Sequence, residues 1–470
     1  MHGASNLRRP YRAGSYLTGT ARTGTGRAGT VPAPTAAAGL RRGGPGRLRI
    51  AAAICAAAGL LVAGCAASPA STGSGGVRGK GQAHSGTKAA PKPAVQLAIT
   101  PASGSKDVSP GSGISVTAAG GKLTHVSVHT SGDPVTGTMN AGATAWHSSW
   151  TLAVAAHYTV TATGQAPNGQ SVTQTSTFTT LAPASTFQAM IFEGQGATYG
   201  VGMPIILDFS QPIKDKAAVE RALQIRTSKP VVGAWYWDGD QTLDFRPQTY
   251  WPADTTVSFT GHLNGVEGAP GMYGYHTLSQ SFRIGDSLIV VASTATHFMD
   301  LYRNGKLYRH WPISTGRSTL PTPNGTYLTI DKGNPVLMKG PGYSEEVPWS
   351  VRFTWTGDYL HDAFWSVGEQ GSTNVSHGCV NMPPADAEMY YKMEVPGDPV
   401  TITGSPKAGT WDNGWTEWFL TWPQLLKGSA LHEAVQAGPH GSEFVSPASV
   451  AAAGMRAPIH TSRPDNWHAT

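Results

Sequence analysis

At 470 residues, with 58 Gly, 34 Pro and only 13% charged residues, the chain exceeds one ordinary domain and has the composition of several turn-rich β domains in series. Its formal charge of +6 sits at the N-terminus: residues 1–65 hold nine Arg and no acid, which leaves −3 for the remainder. A nucleic-acid-binding protein needs a basic patch on its folded part, and no basic run follows residue 65, so that class is excluded.

The first predicted element is a targeting segment. Arg41, Arg42, Arg47 and Arg49 precede an apolar run from Ile50 to Gly64. That run suits a signal-peptide core and is short for a bilayer span. It ends Leu61-Val62-Ala63-Gly64-Cys65, small residues before a cysteine, which resembles the bacterial lipobox. The resemblance implies lipidation at Cys65, a signal segment over 1–65, and an anchor on the extracytoplasmic face of the cell membrane. Ordinary cleavage near Ala66, or an uncleaved anchor, stays open. With Cys55 in the apolar core and Cys65 at its end, Cys379 is then the sole free thiol of the folded protein. No disulfide framework is available, and a lone thiol in an oxidising compartment is a liability unless it is buried or has chemistry to do.

Residues 66–95 are rich in Gly, Ser, Ala, Lys and Pro and read as a flexible tether. Over 96–182, short runs with Thr and Val at alternate positions, and Asn168-Gly169 as a hairpin turn, predict an immunoglobulin-like β-sandwich without a disulfide. Residues 183–286 predict a second one. There, Lys216–Ile225 reads as a short helix and Asp238-Gly239 as a turn. Trp235-Tyr236-Trp237 reads as core packing, with an aromatic glycan platform as the sharper alternative. Residues 287–405 form a third β-rich unit, with a hairpin at Asn304-Gly305. The extension 406–470 carries Trp411, Trp415, Trp418 and Trp422. It reads as an aromatic brace on the third unit, unstructured beyond about residue 435. The fold class is therefore mainly β: two sandwiches, a β-rich unit and a Trp-rich C-terminal segment.

The chemistry concentrates in Ser372-Thr373-Asn374-Val375-Ser376-His377-Gly378-Cys379-Val380-Asn381-Met382. A thiol reacts as thiolate, so it needs a base or a positive field. His377 lies two residues before it and His361 eighteen residues before it. Gly378 lets the backbone turn tightly, and consecutive N–H groups in such a turn can converge on an oxyanion. A zinc site would need more thiols, or CxxC or HExxH spacing, and none is present.

"SHGCVNM" resembles the signature of the L,D-transpeptidase catalytic domain, the YkuD-like family. "YLHDAFWSVGEQGSTNVSHGC" and "STGRSTLPTPNGTYLTI" resemble its actinobacterial branch, as do the paired N-terminal sandwiches and the Trp-rich tail. The resemblance covers roughly residues 96–425. It implies that Cys379 is the acylated nucleophile, His361 its general base, and His377 a neighbour that shapes the site. It implies an oxyanion hole from the N–H groups of Gly378 and Cys379, and substrate contacts from Trp365, Asn381, Ser376 and, on a shortened lid, Met338 and Tyr343. The branch carries Ser after the base histidine, where this chain has Asp362. Either the backbone carbonyl there orients His361 or the carboxylate does.

The implied activity is peptidoglycan 3→3 cross-linking through a cysteine thioester. Its partners would be stem peptides, with carbapenem-type β-lactams as inhibitors, and no cofactor or metal is required. Two rivals stand beside it: an L,D-carboxypeptidase trimming stem tetrapeptides, and a non-catalytic wall-binding lipoprotein.

Overall fold

The structure is a computed structural model, and it describes residues 94–340 and 343–452. The targeting segment with Cys65 and most of the tether fall outside the described residues. Among those described, no helix is long and apolar enough to cross a membrane.

The first β unit pairs a four-stranded sheet with a three-stranded one. The former runs Gln96–Thr100, Ser115–Ala119, Ala145–Ser148, Gly137–Met139; the latter runs Lys122–Thr130, His157–Gln165, Ser171–Thr179. Along His157–Gln165, Tyr158, Val160, Ala162 and Gly164 are buried and their neighbours are more open. That period of two is what a strand with one face on a core requires. Val160 and Ala162 meet Val116, Trp146 and Phe178 between the sheets.

The second unit opposes a four-stranded sheet, Thr198–Tyr199, Leu278–Ile284, Thr256–Gly261 and Leu223–Thr227, to a six-stranded one. The expected helix over Lys216–Ile225 stops at Arg221. Leu223, Ile225 and Thr227 alternate into the core, and the chain becomes a strand. Trp235 and Trp237 are buried, Trp235 against Phe245 and Phe259, so packing holds both rings and no glycan platform forms there. Burial of one such side chain contributes roughly 1.5–3 kcal/mol.

The strand Val231–Asp238 is buried on both faces, which is unusual for an antiparallel strand. The C-terminal extension explains it. Ala434–Gly438 pairs antiparallel with Val231–Gly233, and Gly441–Val445 pairs with Ala434–Gly438, so both extend the six-stranded sheet. The helix Trp422–Gly428 lies against the same strand, with Trp422 and Leu426 on Val232. The expectation of an unstructured chain beyond residue 435 is thus corrected. The brace also reaches further than expected: Phe419 packs edge-on to Tyr327 of the third unit, while Trp418 donates to Gly202 O at 2.8 Å in the second.

The third unit holds a five-stranded sheet, in the order Lys306–Pro312, Phe298–Arg303, Leu288–Ser293, Pro399–Thr403, Gly325–Leu328. Its second sheet runs Asp331–Gly333, Ser350–Arg352, Tyr359–Asp362, Val380–Met382. Val290, Leu301, Tyr327, Leu360, Val380, Met382 and Tyr390 form their shared core. Tyr390 comes from the helix Pro384–Met393. Immunoglobulin-like β-sandwich architecture followed by this mixed β unit is the class read from the sequence.

Candidate active site

Tyr359–Asp362 and Val380–Met382 are parallel neighbours, with Leu360 opposite Val380, His361 opposite Asn381 and Asp362 opposite Met382. Leu360, Val380 and Met382 point into the core. Side chains alternate along strands, so His361 and Asn381 share the opposite face, and Cys379 directly precedes the second strand. His361 is 4% exposed. Its Nδ1–H donates to Asp362 O at 2.7 Å, which leaves Nε2 with its lone pair as the proton acceptor. The Asp362 carboxylate instead accepts from Phe364 N at 3.0 Å. The backbone carbonyl therefore does the orienting, and an aspartate in that position leaves it intact. Trp365 lies alongside, its ring 5.9 Å from the His361 ring and 49% exposed.

The turn before the thiol is tied from both sides. Ser376 Oγ donates to Cys379 O at 2.6 Å and accepts from Gly378 N at 3.2 Å. Thr322 Oγ1 donates to Gly378 O at 2.6 Å and accepts from Gly316 N at 2.9 Å. Ser314 and Asn381 exchange backbone hydrogen bonds, and Ser376 N donates to Thr315 O. Asn374 fixes the approach: its Oδ1 accepts from Thr315 N and Thr315 Oγ1, and its Nδ2 donates to Thr294 O. Gly378 has φ +136°, and a Cβ there would sit 2.5 Å from Asp358 Oδ1, so only glycine fits.

Two of the expected substrate contacts are buried and hydrogen-bonded within the protein. Ser376 is 6% exposed and its hydroxyl is committed within the turn. Asn381 is 3% exposed and donates to Ser366 Oγ at 2.9 Å. The Gly378 N–H is engaged by Ser376 in this state, whereas the N–H groups of His377 and Cys379 have no hydrogen-bond partner among the described residues.

Tyr343 joins the site. Its ring lies 5.0 Å from that of His377, and it crosses Gly340 on the hairpin Val336–Gly340/Tyr343–Val347, where a Cβ would clash with the ring. Met338 sits on the same hairpin opposite Glu345, and no contact joins it to Cys379 among the described residues. The exposed His377 accepts a hydrogen bond at 2.9 Å from Arg317, a residue the sequence reading passed over. Burial, then the Arg317 charge, hold the His377 imidazole below its ordinary pKa.

Burial and the nearby Asp358 carboxylate push the Cys379 thiol up to about 12, against help from the Tyr359 N–H. Burial lowers His361 to about 4. Both directions disfavour a separated thiolate–imidazolium pair, because a low-dielectric site penalises each charge. Burial thus holds both the thiol and the imidazole in their neutral forms.

The unit thus carries a half-buried thiol, an imidazole fixed in one tautomer and a tied backbone turn. Residues 287–402 match the L,D-transpeptidase catalytic domain, and residues 105–267 match a bacterial Ig domain. L,D-transpeptidase 5 of Mycobacterium tuberculosis is 34% identical over 354 residues, 73% of this chain and 78% of its own. L,D-transpeptidase 2 of the same organism is 33% identical over 324 residues, 65% and 79% respectively. A solved L,D-transpeptidase in complex with imipenem is 35% identical, covering 46% of this chain and 97% of that one, with a TM-score of 0.39. The chain belongs to the L,D-transpeptidase family, and so to the enzymes of peptidoglycan cross-linking.

Proposed function

We propose that the chain forms 3→3 peptidoglycan cross-links through a thioester on Cys379. The observation that carries this reading is the parallel pairing of the His361 strand with Val380–Met382, the strand that follows Cys379 directly, with His361 Nδ1 committed to Asp362 O. Cys379 attacks the carbonyl of the third residue of a donor tetrapeptide and its proton passes to His361 Nε2. The unpartnered N–H groups beside the sulfur receive the oxyanion, and terminal D-Ala departs with the proton from His361. A diaminopimelate side-chain amine on a neighbouring stem then attacks the thioester and frees Cys379. Splitting one hard step into two easier ones is the gain of covalent catalysis, and a thioester yields to an amine more readily than an amide does.

Carbapenem-type β-lactams, one of which occupies a solved relative, would acylate the same thiol. The Arg-rich leader and the residues before Cys65 support a lipid anchor on the extracytoplasmic face. Mass spectrometry of the purified protein after exposure to a carbapenem tests the site, with a single adduct expected on Cys379. An adduct that survives in Cys379→Ala sinks the assignment. The same spectrum reads the lipid mass on Cys65.

A further inference from the structure

Asp358 immediately precedes the strand that carries His361, and its carboxylate is aimed at the nucleophile's turn. A Cβ built on Gly378 would lie 2.5 Å from Asp358 Oδ1. Oδ2 is held by Thr354 Oγ1 at 2.8 Å, and that same hydroxyl accepts from the Asp358 N–H at 2.8 Å, which fixes the group's direction. Oδ1 has no protein partner among the described residues. Gly357, next in the chain, offers its carbonyl to the Cys379 thiol at 3.8 Å. The carboxylate therefore flanks both the sulfur and the amide turn.

This placement works against the first half-reaction. An anion beside the thiol opposes thiolate formation at Cys379, and it opposes ionisation of Tyr343 across the site as well. Lys407 is the cation that acts on Asp358 in return. A negative charge at this point favours only a positively charged visitor. The second half-reaction supplies one, because a side-chain amine arrives as an ammonium ion.

We propose that Asp358 is the binding group for the acceptor amine and sets the preference for amine over water in breaking the acyl-enzyme; this rests on the thioester reading above. Asp358 Oδ1 receives the ammonium. Burial raises the carboxyl's proton affinity, so the ion pair can collapse to a neutral acid and a neutral amine. The nitrogen attacks the thioester carbonyl, the C–N bond forms and the C–S bond breaks. One ammonium proton leaves through Asp358 to solvent. A second passes from the nitrogen to the departing Cys379 sulfur by way of His361. Atoms and charges balance without any further reagent.

The test uses the full-length chain, purified in detergent, with a diaminopimelate tetrapeptide as both donor and acceptor. Intact mass with a carbapenem reports the first half-reaction separately. In Asp358→Asn, acylation of Cys379 is expected to proceed at least as fast as in the wild type. The ratio of cross-linked dimer to hydrolysed tripeptide is expected to fall tenfold or more, through a raised KM for acceptor. Asp358→Glu, which keeps the carboxylate, is expected to recover part of that ratio. An unchanged ratio in Asp358→Asn overturns the proposal, and so does a parallel loss of acylation. A wild-type chain that takes no adduct on Cys379 overturns the thioester reading itself, a result visible before any acceptor is added.

Discussion

His361 illustrates how a single backbone contact sets the chemistry of a site. Its Nδ1–H is committed to Asp362 O, and burial lowers its pKa to about 4. A depressed imidazole pKa keeps the base form populated far below neutrality, and protonation removes it only as the pH nears 4. The acylation rate of Cys379, followed by β-lactam absorbance, should therefore stay level from about pH 7 to pH 5 and decline below that. A profile that halves near 6.5, the ordinary imidazole value, would assign the proton to a solvated group instead. His361→Gln should slow acylation by roughly 10²–10⁴-fold, the usual worth of a positioned base. His361 and Cys379 were legible as candidates in the sequence, the one as a histidine upstream of the thiol and the other as the sole cysteine beyond residue 65. Asp358 and Arg317 were not, because a surface-type charge acquires meaning only from the turn it faces.

The strands and their turns were largely legible, since alternation and Asn-Gly or Asp-Gly pairs are local signals. Asn304 and Gly305 take φ +49° and +76°, and Gly239 takes +73°, the conformations that made those pairs readable as turns. The segment 314–322, a strap that bonds to the turn before Cys379, showed neither alternation nor such a pair and stood out only by its resemblance to the family. It works through polar contacts to residues about sixty positions away, and no periodicity announces them. Thr322 is the clearest case: it is fully buried, and its one hydroxyl serves both Gly378 O and Gly316 N. Thr322→Val keeps the shape and strips both contacts. Each orphaned backbone group costs about 1–3 kcal/mol, so the melting temperature should drop. Acylation at a temperature where the variant is folded should also slow, because Gly378 loses its anchor. Wild-type stability and rate together would show that the strap does not position the turn.

At the scale of the whole molecule, the C-terminal extension ties the second β unit to the third. Composition could not reveal this, because Trp-rich polar sequence looks the same whether it folds back or not. The register of Ala434–Gly438 on Val231–Gly233 joins segments two hundred residues apart. Glu220 is the buried clasp: fully enclosed, it accepts from Trp237 Nε1 at 2.7 Å, Ser429 Oγ at 2.7 Å and Ala430 N at 2.6 Å. Earlier in the same segment, Glu417 O and Leu420 O accept from Arg246, which also covers the Trp418 ring. Phe419 next to it reaches Tyr327 in the catalytic core. Glu220→Ala would leave several buried donors without an acceptor, a loss of more than about 3 kcal/mol. Because the clasp and the Phe419 contact lie on one short stretch of chain, loosening the first should release the second. Calorimetry of Glu220→Ala should show the second and third units melting together at a lower temperature, with acylation of Cys379 lost in the same transition. Two separated transitions, the catalytic one at its wild-type temperature, would mean that the extension belongs to the second unit alone and that the active site stands without it.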